Sequence, residues 1–171
     1  MKIYKAKFIS TEYIWPYNNE EWLLHSTSPM PEIDKRYNFR VQLMANQIRV
    51  LFGDIPENLQ DFSKASQISQ AEAKKFFIEL FRGGKWERTG IIWWNLMDGW
   101  PQFSDAIVDY YFNKKLAYEY IKRSQMDVLL MFREPEKGLI ELVACNDLAA
   151  DVISSYKVID LDTNETIVES K

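Results

Sequence analysis

The sequence is poor in the residues from which most catalytic and metal centres are built. It holds one cysteine and one histidine in 171 residues. A lone Cys145 can form no intrachain disulfide and no zinc-binding cysteine cluster. Its neighbours, LIELVACND, mark it as a small buried core residue. A Ser-His-Asp triad would have to use His25, and no G-x-S-x-G turn accompanies it. Six glycines are present, and the adjacent pair in FRGGKW lacks the spacing and the Ser or Thr of a phosphate loop. The formal net charge is -4 and no basic tract occurs, which argues against a nucleic-acid partner. No apolar run approaches membrane-spanning length, and the opening MKIYKAKFIS lacks the long apolar core of a signal peptide. Neither a membrane partner, nor a metal, nor a cofactor is expected from these residues, and the compartment stays open.

What is present is ordinary in amount and unusual in kind. A hydrophobic fraction of 47% and a charged fraction of 27% suit a globular chain able to build a core. Aromatic residues make up 15%, which favours large flat contact surfaces. Residues 1 to 34 read as irregular, with turn formers in WPYNNEEW and STSPMPEID. A helix is expected over 36–52, with Phe39, Leu43 and 48–52 on its apolar stripe and Gly53 as its stop. A second helix is expected from about Pro56. Leu59, Phe62, Ala65, Ala73, Phe77, Leu80 and Phe81 keep its period, and Gly83 and Gly84 end it.

The pattern then shifts. GIIWWNL, from Gly90, is a short continuous apolar run of the kind found in strands covered on both faces of a parallel sheet. A third helix is expected over about 113–123, with Leu116, Ala117, Tyr120 and Ile121 inward. Helix, strand and helix with short joins are the grammar of an α/β fold. Past residue 124, DVLLMF, GLIELVAC, VISSYKVIDL and ETIVES are short apolar runs separated by turns, as in an antiparallel β-sandwich. The expected fold class is therefore α/β followed by all-β, with units 1–124 and 125–171.

GIIWWNLMDGWPQFSD, residues 90–105, carries three of the six tryptophans beside amides and carboxylates. Composition leaves two readings open. Trp93 and Trp94 fill space and Asp98 caps a turn, or the stretch is the floor of a sugar site. An indole face covers the apolar C–H face of a sugar while acceptors and donors fix its hydroxyls. Adjacent strand residues point to opposite faces, which assigns Trp93 to packing. Glu72 and Glu79, seven apart on one helix face, read as salt-bridge and packing residues.

The order of motifs adds to this. The stretch GIIWWNLMDGWPQFSDAIVDYYFNKKLAYEYIKRS resembles the end of the catalytic barrel in glycoside hydrolase family 2, specifically its β-mannosidase-like members. Their last barrel strand has the form G-x-x-Y-W-Q-L-N-D-x-W-P. KASQISQAEAKKFFIELFR is similar to that family's penultimate barrel helix, and FISTEYIWPYNNEEWLLHS to the segment after its nucleophile strand. LIELVACNDLAADVISSYKVIDLDT resembles the start of its immunoglobulin-like sandwich. The resemblance implies the last units of a TIM barrel joined to a partial sandwich. It implies that Trp94 lines the subsite of the sugar being cleaved, with Asp98 and Trp100 matching the motif and Asn95 standing in place of Gln. Trp93 for Tyr and Met97 for Asn are further departures, and Met97 removes a polar group from the loop. The implied partner is a carbohydrate, with association through exposed strand edges also expected.

Retaining glycosidases need two carboxylates about 5 Å apart. In the family both lie on earlier barrel strands, and the S-E-x-G context of the nucleophile is not found here. Glu12 is the nearest by position and reads as a surface acid. A full barrel takes about 250 residues and a sandwich of this type about seven strands. The expectation is thus a glycosidase piece inactive alone, or alternatively a non-catalytic carbohydrate-binding or scaffolding module.

Overall fold

The computed structural model describes residues 9–26 and 40–170. The chain divides into two compact units, Met1–Gln125 and Met126–Lys171. In the first, a single 3-10 turn at Thr11–Tyr13 leads to α1 (Glu20–Leu24), α2 (Arg40–Phe52), α3 (Leu59–Gly83) and α4 (Leu116–Ser124). The second holds β1 (Val128–Phe132), β2 (Leu142–Asn146), β3 (Tyr156–Ile159) and β4 (Thr166–Ser170). Among the described residues no helix is long and apolar enough to cross a membrane.

The stretch expected to be irregular contains a helix because Asn19 caps it. The Asn19 Oδ1 accepts from the Trp22 amide at 3.1 Å, and its Nδ2 donates to the carbonyls of Tyr13 and Pro16. That cap delivers Trp22, 2% exposed, into the first core cluster with Ile9, Val41, Ala45, Ile48, Phe62 and Ala65. The ring of Trp22 lies on Phe103 at 4.1 Å and 13°, and Tyr17 lies on Phe62 at 4.9 Å and 13°.

In α2 the buried positions are Val41, Ala45 and Ile48, one helix stripe. Leu43, Val50, Leu51 and Phe52, expected inward, are exposed; Phe39 and residues 36–38 lie outside the described residues. A left-handed residue closes this helix: Gly53 has φ +86°, and its amide bonds the Arg49 carbonyl at 2.8 Å. Pro56 does not start α3. Asn58 caps it instead, accepting from the Asp61 amide at 3.0 Å. Along α3 the buried residues are Phe62, Ala65, Ala71 and Ile78, whereas Ala73, Phe77 and Leu80 face outward.

The second cluster joins Ala71 and Ile78 of α3 to Ala117 and Ile121 of α4 and to Ile107. Leu116 and Tyr120 pack against it, so the expected inward face of α4 is the observed one, although the helix begins at Leu116 rather than near 113.

The run from Gly90 differs most from expectation. Residues 90–96 form no strand. Ile91 and Trp93 are half-buried against the second cluster, while Ile92 is 100% exposed and Trp94 and Leu96 are exposed. The alternation is that of an extended chain with one face covered, since no neighbouring strand flanks it among the described residues.

In the second unit β1 pairs antiparallel with β2, Leu130 opposite Ala144, and β3 with β4, Tyr156 opposite Ser170. Met131 and Cys145 are its buried apolar residues, so Cys145 is a core residue as expected. Among the described residues the second unit holds two separate two-stranded sheets, and the helices of the first unit accompany no parallel sheet, so neither a barrel nor a sandwich is established. The overall class is mixed helices followed by small antiparallel sheets.

Candidate functional site: a tryptophan run over a buried ion pair

Backbone pairing draws residues 95–98 alongside 107–108. The amides of Ile107 and Val108 donate to the carbonyls of Asn95 and Leu96 at 3.2 and 2.9 Å, and the Asp98 amide donates to the Val108 carbonyl at 3.1 Å. Val108 also bridges to Lys114, and the Lys115 amide donates to the Ile107 carbonyl at 2.8 Å. Lys115 is thereby carried to Asp98, seventeen positions away in sequence. Its Nζ lies 3.4 Å from the Asp98 Oδ2 and 3.3 Å from the Ser104 carbonyl.

Asp98 is 1% exposed, and its carboxylate is fully engaged. Gln102 Nε2 donates to Oδ1 at 3.0 Å, the Ser104 hydroxyl donates to the same oxygen, and Lys115 holds the other. Burial holds the Lys115 ammonium below the usual lysine range, opposed by the charge and hydrogen bond of Asp98 and by Asp109 and Asp105. The neighbouring loop is closed by Asp109, whose Oδ1 accepts the amides of Tyr111 and Asn113, both at 2.8 Å. Asp98 thus gathers three side chains, whereas Asp109 holds two backbone amides of its own loop.

A cavity of about 850 Å³ opens between α3 and this loop system. Trp93, Trp94, Lys74, Gln70, Ser104 and Lys115 are in its wall. Trp94 is 75% exposed there, and the peptide joining it to Asn95 is cis. Asn95 is half-buried, and its Oδ1 has no hydrogen-bond partner, an acceptor without a donor. Trp100, 37% exposed, is not in the cavity wall. It stacks on His25 at 5.6 Å and 29°. The His25 Nδ1 lies 2.9 Å from the Pro101 carbonyl, which can only accept, so Nδ1 carries the proton. The Phe103 amide donates to the His25 carbonyl at 2.7 Å, tying the end of α1 to the same loop.

Of the four residues singled out in sequence, Trp94 is at the cavity, Asn95 and Asp98 share the bridge with residues 107–108, and Trp100 sits apart on His25. Glu12 is exposed in the 3-10 turn and is absent from the cavity wall. Glu72 is exposed, and Glu79 accepts from Lys75 at 2.8 Å. Sequence reading missed Lys74 and Lys115. Each belongs to a Lys-Lys pair that reads as solvated surface, and no local signal marks which member turns inward. Among the described residues no group of three His, Cys, Asp or Glu side chains is placed to hold a metal ion.

A scan against protein-family models finds no match, and no curated protein matches this sequence. Among solved structures the chain is similar to a β-D-mannosidase from Dictyoglomus thermophilum, with a TM-score of 0.62 and 26% identity. The match covers 82% of this chain and 16% of the mannosidase chain, so these residues span about a sixth of that protein's length.

Proposed function

We propose that these residues are the carboxyl-terminal barrel portion of a β-mannosidase-like, family 2 retaining glycosidase, followed by the opening of its immunoglobulin-like sandwich. They supply an aromatic sugar subsite and not the catalytic carboxylate pair. The observation that carries the reading is the structural likeness to a β-D-mannosidase over 82% of the chain. The exposed Trp94 at the cavity supplies an indole face for a sugar ring. Asn95 Oδ1, which lacks a donor, is the kind of acceptor a hydroxyl or an ordered water satisfies. On this reading the acid and the nucleophile are supplied from outside this stretch, and Asp98 and Asp109 serve the local architecture.

The test is hydrolysis of chromogenic β-mannoside, β-galactoside, β-glucoside and β-glucuronide by the 171-residue chain. The expected result is no turnover, together with quenching of tryptophan emission by methyl β-mannoside that Trp94→Ala removes. Turnover above background would overturn the reading, because the chain would then hold its own acid and nucleophile, and Glu12 would be the first residue to replace. A non-catalytic carbohydrate-binding module is the second reading, favoured by the same exposed indole. The gene decides between them. Upstream coding sequence with two strand-end glutamates supports the glycosidase, and its absence combined with sugar binding supports the module.

A further inference from the structure

Lys74 stands in the middle of α3, twenty residues before the tryptophan it serves. Its Nζ donates to the Trp94 carbonyl at 2.7 Å and lies 4.9 Å from the centroid of the Trp93 ring. One ammonium therefore grips two successive tryptophans, one through its backbone and one through its π face. The next lysine, Lys75, turns away to Glu79 at 2.8 Å. Around the grip, Ile91 and Trp93 pack on the second cluster while the opposite face of the run is open. Ile92 is fully exposed, Trp94 is 75% exposed, and residues 90–96 belong to no sheet. The backbone bonds that tie the run to the loop begin only at the Asn95 carbonyl.

We infer that Lys74 is a positioning residue: its ammonium fixes the Trp94 carbonyl, and with it the direction in which the Trp94 indole is presented to the cavity. The inference rests on the sugar-subsite reading for the importance of that direction, but the grip itself is independent of it. Burial lowers the affinity of Lys74 for its proton, opposed by Asp105 and reinforced by Lys115. Asp105, Asp109, Lys114 and Lys115 from the loop and Glu119 from α4 are the other charged residues in the same cavity wall.

The experiment compares Lys74→Met, which keeps the aliphatic stem, with Lys74→Arg, which keeps the charge and the donors. Two readouts are used: the indole and amide resonances of Trp94 and Asn95, and the affinity for methyl β-mannoside. In Lys74→Met these resonances should move and affinity should fall about tenfold, the size of a 1.4 kcal/mol change. Lys74→Arg should restore both, which loss of a merely structural contact would not predict. Unchanged resonances and affinity in Lys74→Met would overturn the inference. If the parent chain binds no sugar, the subsite reading fails, and the resonances alone then decide the role of Lys74. Should Lys74→Met unfold, Lys74→Gln takes its place, with the same shifts expected and the same absence of shifts overturning the inference.

Discussion

The two halves of GIIWWNLMDGWPQFSD reverse the usual relation between polarity and burial. In residues 90–97 the side chains are mostly apolar, yet Ile92, Trp94, Leu96 and Met97 are all exposed. In residues 98–105 the key side chain is a carboxylate, and it is 1% exposed. Hydropathy alone would predict the opposite burial in each half; what decides is the supply of partners. Asp98 receives three side-chain donors from within eighteen positions of chain, Gln102 and Ser104 from the loop that follows it and Lys115 through the backbone pairing at Val108. The run before it receives packing on one side only, from Ile78 and the second cluster. Burial follows the neighbours available, and a hydrophobic residue without them stays in water.

The largest expected effect breaks the polar half. Asp98→Ala leaves the Lys115 ammonium, whose side chain is 20% exposed, without its carboxylate, and leaves the Ser104 hydroxyl and Gln102 amide without their acceptor. Removing one member of a buried pair strands the other. A loss of about 3 kcal/mol is expected in urea unfolding, and a loss under about 1 kcal/mol would show that water replaces the carboxylate freely.

A smaller effect tests which force dominates at Lys115. Its proton affinity lies below the ordinary lysine value of 10.5, with burial as the leading cause and Asp98 opposing it. The unfolded chain then binds more protons than the folded one as pH approaches 10.5 from below. Stability should therefore rise with pH in that window and be complete above it. The rise should be weaker in Lys115→Gln, measured as urea midpoints of the two chains at matched pH. A steeper or equal rise in the variant would assign the slope to other groups, Lys74 among them, whose proton affinity shifts the same way.

Much of the helical framework was legible because it depends on near neighbours. Gly53 and the Gly83–Gly84 pair stop helices where expected, and Ala117 and Ile121 are inward on α4. Cys145 is buried within a β-hairpin. The α2 stripe was misplaced because Val50, Leu51 and Phe52 are apolar all round, so periodicity alone could not choose the face that meets α3. At the site, Trp94 was visible by type and its cavity was not. Lys74 acts across 20 residues and Lys115 across 17, and both pairings arise from tertiary approach. GIIWWNL read as a doubly covered strand because an uninterrupted apolar run describes a preference for burial, whereas coverage depends on residues elsewhere.

The smallest expected effect concerns that same run, and a null result is the informative one. Ile92 is fully exposed, so its side chain gains nothing from the fold of this chain. Ile92→Ser should change the free energy of unfolding by no more than about 0.5 kcal/mol, the usual range for exposed positions. The serine should also lower any concentration-dependent association measured by sedimentation, because it removes a branched apolar side chain from a surface shared with Trp94 and Leu96. A cost above about 1.5 kcal/mol at working concentration, vanishing on dilution, would mean that another copy covers Ile92 in solution. The contrast between the two halves would then belong to the monomer alone, with the apolar half buried by assembly and the polar half by its own turn.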